Sequence, residues 1–349
     1  MAVIPKTFHD PFGLARRLLG SRDRHAYFAM ALTAGAILTA PLDAALAVAE
    51  RRRYARAPEP LLPIVFVTGA PRSGTTVVEQ LLGHNLPVAY LSNLTDLFPR
   101  APIVAARLFG RALRRPPQAY ESYYGRVAGL AAPNDALKIW DRWWGPSRYV
   151  VPERFSPETV AEMRRFFGAC EAAFGRPLLG KNNGLSTCAS QLLRALPTAH
   201  VIIVVRDSLY NAQSILVARE KIQGSRDVGY GVDDPNRPPS GDPFADVCAQ
   251  VMYQQRRALE QQREMGAERL SIVRYEDICR DPAAFVAHVG EDIFRVPCDR
   301  ARLRKHLAPL HVTNRPTLPG PEFERLSREM ARLTEADPSP FHAPGEQRV

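Results

Sequence analysis

The sequence predicts an α/β fold with a central parallel sheet, and three observations lead there. Short apolar runs rich in β-branched residues recur along the chain, at Leu61 to Thr68, Val201 to Val205 and Leu270 to Arg274. Stretches with helical spacing lie between them. The first run ends in a Gly-rich turn, Gly69-Ala70-Pro71-Arg72-Ser73-Gly74-Thr75-Thr76, that leads straight into a helical pattern. Strands alternating with helices build parallel sheets covered on both faces, so their strands read as continuous apolar runs.

Each element has its own signal. The Pro-rich joint Ala57-Pro58-Glu59-Pro60 divides a helical segment, residues 1–60, from the α/β domain, residues 61–349. Thr75 to Gly83 carries Val77, Val78, Leu81 and Leu82 on neighbouring helical faces. Val88 to Leu91 reads as a second, short strand. Ser156 caps a helix running to Phe174, with Glu158 and Glu162 early and Gly175 just past its end. Leu178 to Gly180 is a short strand, and Ser186 to Leu196 a helix stopped by Pro197. After Val205, Arg206-Asp207 leads into a helix from Leu209 to Ile222. Asp281-Pro282 opens another after the Leu270 strand. Gly224 to Asp242 is rich in Gly, Asp, Arg and Pro and reads as an exposed loop, long enough for a lid or substrate loop. Arg72, Lys181, Arg206 and Tyr275 each follow a predicted strand. The topology therefore sends all four to the sheet edge where such folds bind ligands.

The chain has 349 residues, 46% apolar and 23% charged, an ordinary balance for a folded protein. Its formal net charge of +10 favours anionic partners. No basic stretch interleaved with aromatics and no nucleic-acid motif occurs, so nucleic acid is not an expected partner. The five cysteines are widely spaced with no C-x-x-C, which indicates neither a disulfide framework nor a zinc site and suits a reducing compartment. Ala26 to Ala49 is the most apolar stretch, flanked by Arg16, Arg17, Arg22 and Arg24 and by Arg51, Arg52, Arg53 and Arg56. Pro41 and Asp43 interrupt it. It reads as a helix pair packed on the domain, as an interfacial helix held by its basic flanks, or as a span. The expected location is the cytoplasm, with peripheral contact through residues 26–56 at the inner face of the cell membrane.

The loop after the first strand has the glycine spacing of a phosphate cradle, set at a helix amino terminus whose partial positive charge favours anions. Thr75 stands where a Walker loop carries the Lys that reaches the β and γ phosphates of a triphosphate. The cation is instead Arg72, inside the loop. The site suits a shorter phosphate chain with an arginine over its end.

The run PRSGTT after an apolar strand resembles the 5′-phosphosulfate loop of PAPS-dependent sulfotransferases. Cytosolic members usually carry Lys at the Arg72 position, while tyrosylprotein and many bacterial members carry Arg. A second signature of that family is an apolar strand, an Arg, then a Ser two helical turns on. VIIVVRDSLYNAQS resembles it, which implies Arg206 and Ser214 as 3′-phosphate ligands, with Arg219 joining them. Lys181-Asn182 resembles a family strand-end Lys, and Val273-Arg274-Tyr275-Glu276-Asp277 resembles a further family segment. The resemblance runs from Pro63 to Gly290.

It implies a P-loop kinase-like three-layer domain around a central parallel sheet. PAPS would be the co-substrate and PAP the product, bound by Arg72, Ser73, Gly74, Thr75, Thr76, Arg206, Ser214 and Tyr275. A hydroxyl of a carbohydrate, glycolipid or other small molecule would accept the sulfuryl group. A cation beside the leaving oxygen stabilises the transition state more than the ground state, a role that falls to Arg72, with Lys181 adding charge from across the cleft. No metal is required and no acidic metal cluster is apparent. The acceptor hydroxyl needs a base, yet the family's base positions fall on Asn183 and near Asn93, and neither side chain takes a proton. Asp96 is the expected base, with His84 and Asp141 as alternatives. Trp140, Trp143 and Trp144 belong to the core or line an acceptor site. Two other classes stay open, a P-loop kinase acting on a small molecule and a non-catalytic nucleotide-binding protein at a membrane.

Overall fold

The computed structural model describes residues 10–113, 120–145, 151, 154–338 and 341. The outer ends of the two expected segments, residues 1–9 and 342–349, lie outside them. Five strands form one sheet: β1 (Ile64–Thr68), β2 (Ala89–Tyr90), β3 (Leu178–Lys181), β4 (Ala199–Val205) and β5 (Leu270–Arg274). Their order is β2-β3-β1-β4-β5 and every neighbouring pair is parallel. The register sets Val67 beside Lys181, Thr68 beside Ile203, and Val205 beside Arg274. All carboxyl ends therefore open on one edge.

Alternation along the strands divides the core. Ile64 and Phe66 join Val201, Ile203 and Val205 on one face, under the helices Leu137–Trp144, Pro157–Phe174 and Ala189–Ala195. Val65 and Val67 join Leu179, Ile202 and Val204 on the other, under Thr75–Asn85, Tyr275–Arg280 and Pro282–His288. These are the three layers. The Ser156 cap accepts from the Thr159 amide, as its position predicts. Two expected helices differ in detail. The stretch Ser186 to Leu196 belongs to a 3-10 turn, Asn183–Thr187, followed by the short helix Ala189–Ala195. The helix after Arg206 runs Ser208–Ala218 and widens into a π turn, Arg219–Gln223, that closes at Gly224. Two further helices, Pro243–Met265 and Gly320–Ala336, pack with Ser208–Ala218 around Leu216, Val247, Val251, Leu326 and Met330.

The amino-terminal segment forms three helices, Pro11–Gly20, Arg24–Leu38 and Ala40–Ala55. The last two are bent by 71° at Thr39. Pro41 lies in the first turn of the second, where its missing N–H breaks no ladder. No single helix among the described residues is long and apolar enough to cross a membrane. The pair is packed against the α/β layers. The Ala128 amide donates to His25 Nδ1 at 2.8 Å, and Thr39 Oγ1 donates to the Leu97 carbonyl at 2.8 Å. Asp43, a defect in an apolar run when read in sequence, is buried and accepts from the amides of Arg100 and Ala101. Glu50 is fully buried and accepts from the amides of Ile103 and Val104.

Candidate active site

The carboxyl edge of the sheet gathers the residues that the strand pattern sends there. After β1 the chain turns through Gly69 and Arg72, φ 153° and 70°, and enters the helix at Gly74, φ 104°. A Cβ on Gly69 would fall 2.3 Å from the Val204 carbonyl, and one on Gly74 would fall 2.4 Å from the Tyr275 ring. Both positions need glycine, for conformation and for space. No side chain caps the amino terminus of this helix, and the Ser73 hydroxyl is buried with no partner. Free amides and an orphaned hydroxyl around a glycine turn make a cradle for a phosphate or sulfate group.

Arg72 and Arg206 close one side of the cradle. Arg72 Nε donates to Ser214 Oγ at 3.2 Å, and its guanidinium lies over the Tyr124 ring at 4.9 Å. Arg206, nearly buried at the end of β4, donates to the Arg72 carbonyl at 3.2 Å, to Asn314 Oδ1 at 2.7 Å and to the Thr313 carbonyl at 3.0 Å. Its guanidinium lies 5.3 Å from the centre of the Tyr275 ring. Burial works against the charged form of Arg206 and lowers its pKa, the outcome for a cation short of an anionic partner.

Lys181 closes the other side. It ends β3, is 2% exposed, and donates to Thr76 Oγ1 at 3.0 Å. Its ammonium pairs with Asp135 at 2.5 Å and Glu79 at 3.6 Å. Burial pulls its pKa down, but Asp135 and Glu79 outweigh that and raise it. Glu79, on the helix after the loop, is pushed by burial up to about 7 although Lys181 opposes the shift. Thr75 Oγ1 donates to Asn183 Oδ1 at 3.1 Å, so Asn183 ties the loop to the end of β3.

The sulfotransferase family model matches residues 63–293, about two thirds of the sequence and all five strands. The chain belongs to the sulfotransferase family. Two solved sulfotransferases share its fold. One from Mycobacterium avium is 18% identical, with 95% of this chain and 87% of that one covered and a TM-score of 0.54. One from Mycobacterium tuberculosis is 15% identical, with 92% and 90% covered and a TM-score of 0.52. Comparison with curated protein sequences returned no significant match. The reaction is sulfuryl transfer from PAPS, and the kinase and non-catalytic readings give way to it. The arginine-bearing loop, its glycine cradle and its orphaned hydroxyl fit that nucleotide.

The sulfotransferase holds its other expected residues in different surroundings. Asp96 accepts from Arg126 Nη1 at 3.2 Å and Asn134 Nδ2 at 2.9 Å. Asn93 is a buried brace that donates to the Val127 and Gly129 carbonyls. His84 bonds the Gln80 carbonyl within its own helix, on the last turn. Arg219, expected as a further 3′-phosphate ligand, donates to Gln250 and pairs with Asp233. Trp140 and Trp143 are core residues, in edge contact with Phe66 and Phe166 respectively. Trp144 packs over Gly184, where a Cβ would meet its ring at 2.4 Å. The loop Gly224 to Asp242 has no regular structure, and it packs on the phosphate loop, with Gly231 against Pro71. Asp135 and Glu79, which contact Lys181, and Tyr124, which contacts Arg72, are residues that motif reading passes over. The spacing of Thr76 and Glu79, three apart on one helix, sets both on Lys181's side and is the one signal the sequence offers for them.

Proposed function

We propose that the enzyme moves the sulfuryl group of PAPS to a hydroxyl of a carbohydrate, glycolipid or other small acceptor, with Asp135 as the base. One observation carries this reading. The Lys181 ammonium touches both Thr76 of the phosphate loop and the Asp135 carboxylate, so a cation bridges the sulfuryl-binding loop and a proton acceptor. Ser73, Gly74, Thr75 and Thr76 bind the 5′-phosphosulfate through backbone amides and hydroxyls. Arg206 and Ser214 bind the 3′-phosphate, and Tyr275 supports Arg206 and the loop glycine. Arg72 and Lys181 stabilise the charge that grows on the leaving phosphate oxygen. Asp135, about one-fifth exposed at the cleft, takes the acceptor's proton as the oxygen attacks sulfur. Asp96 orients Asn134 beside it.

Calorimetric titration with PAP tests the nucleotide assignment, against ATP with magnesium as the control. PAP binds the wild type, Arg206→Ala loses it, and ATP binds weakly. Asp135→Asn keeps PAP affinity, while its turnover with an accepted hydroxyl compound falls by about 10²–10⁴-fold. ATP binding without PAP binding overturns the nucleotide roles, and an Asp135→Asn enzyme of unchanged turnover overturns the base.

A further inference from the structure

The helices Arg24–Leu38 and Ala40–Ala55 cover part of the domain with their inner faces, and their outer faces are apolar. On the first, Tyr27, Ala31, Ala34 and Leu38 are exposed at intervals of four, three and four residues, a single helical stripe. On the second, Leu42, Ala45, Val48 and Ala49 are exposed. The 71° bend makes an elbow between them. Ile37, Leu38 and Leu42 at that elbow are 65%, 82% and 46% exposed. Monomeric soluble proteins seldom leave an apolar face of this kind uncovered.

Positive charge predominates around this face. Between Arg24 and Arg51 the acidic and histidine side chains are His25, Asp43 and Glu50, and all three are buried. The exposed face therefore carries no carboxylate. Arg22 and Arg24 rim it at one end, where Arg24 pairs with Glu121, and Arg52 and Arg56 rim it at the other. On the flank of the second helix lies a cleft of about 400 Å³ whose lining includes Arg51, Arg100, Arg142 and Arg165, with Glu162 as its acidic residue. Arg51, Arg100 and Arg165 make no ion pair among the described residues. Guanidinium groups pair with phosphate through parallel hydrogen bonds.

We infer that this two-helix elbow docks on a bilayer bearing anionic phospholipids, with the apolar stripe in the interface and headgroup phosphates in the arginine cleft. The charge pattern selects that occupant. A second copy on the same face would set arginine rims against each other, whereas an anionic surface neutralises them. The inference stands apart from the assignment of catalytic roles.

Co-sedimentation of the full chain tests it. One set of vesicles is phosphatidylcholine alone, and the other an equal mixture with phosphatidylglycerol. The wild type binds the mixed vesicles and is released by salt. The Leu38→Glu, Leu42→Glu double variant stays in the supernatant. The Arg51→Glu, Arg165→Glu double variant loses the preference for anionic vesicles, by roughly ten-fold or more. Both variants keep wild-type PAP affinity, which separates lost docking from lost folding or a failed nucleotide site. A wild type that ignores mixed vesicles overturns the inference. So does a leucine variant that binds like the wild type, or self-association that the leucine pair abolishes.

Discussion

At the scale of single residues, the site turns on a buried lysine between two carboxylates. An ammonium removed from water tends to lose its proton, and Asp135 and Glu79 prevent this for Lys181. The two carboxylates then compete for one cation. Asp135 lies closer, 2.5 Å against 3.6 Å, and burial raises the proton affinity of Glu79 to about 7 from an ordinary 4.5 against the pull of Lys181. A carboxyl raised on folding makes the folded state bind more protons, so its contribution is full below about pH 4.5 and is lost as pH rises through about 7. Glu79→Gln removes that titration. Urea unfolding at about pH 5 and about pH 8 will show the wild type losing roughly 2–3 kcal/mol more than the variant across the window. Parallel losses in the two proteins overturn the assignment. The sequence placed Lys181 through its strand-end position and Arg72 through its loop. In the chain Asp96 is the carboxylate nearest the second strand, whereas the pairing of Asp135 with Lys181 is made only by the fold.

At the scale of elements, two helices are joined by a device that the sequence presents as a flaw. Asp43 and Glu50 stand seven residues apart, two turns along one face of Ala40–Ala55. Both aim at the start of the helix Pro102–Phe109, which has no side-chain cap of its own. Four backbone amides, from Arg100, Ala101, Ile103 and Val104, donate to them. The positive end of that helix offsets part of the cost of burying two carboxylates. Burial still raises the pKa of each. Glu50→Ala leaves two buried amides without acceptors and will cost about 2–4 kcal/mol in unfolding free energy. Glu50→Gln retains an acceptor and will cost less. Equal stability of the alanine variant and the wild type, in thermal and urea melts alike, excludes the capping role. Apolar periodicity alone cannot reveal such a contact, since it says where a helix buries its face but not which amide ends it meets. The helix Pro243–Met265 was legible in principle, because Asp242-Pro243 repeats the Asp-Pro start seen at Asp281-Pro282. Its many Gln and Arg residues mask the stripe of Phe244, Val247, Cys248 and Val251.

At the scale of the whole molecule, the alternation of strands and helices specified a parallel sheet. The crossing order β2-β3-β1-β4-β5 depends on contacts between distant segments and was not legible from residue patterns. That order sets β1, the most buried strand, between β3 and β4, so the loop after it is flanked by Lys181 on one side and Arg206 on the other. The charge of the molecule acts at the same scale. A net +10 surrounds a cleft whose ligand carries phosphate at both its 3′ and 5′ positions. Long-range attraction accelerates encounter and is screened beyond about 10 Å at 0.1 M salt, whereas contacts inside the cleft are screened far less. Stopped-flow binding of PAP therefore has a distinct signature. Between about 20 mM and about 200 mM salt the association rate will fall on the order of ten-fold while the dissociation rate changes little. If salt instead acts on dissociation, the affinity for the nucleotide resides in its ion pairs within the cleft, and the excess positive charge serves another partner.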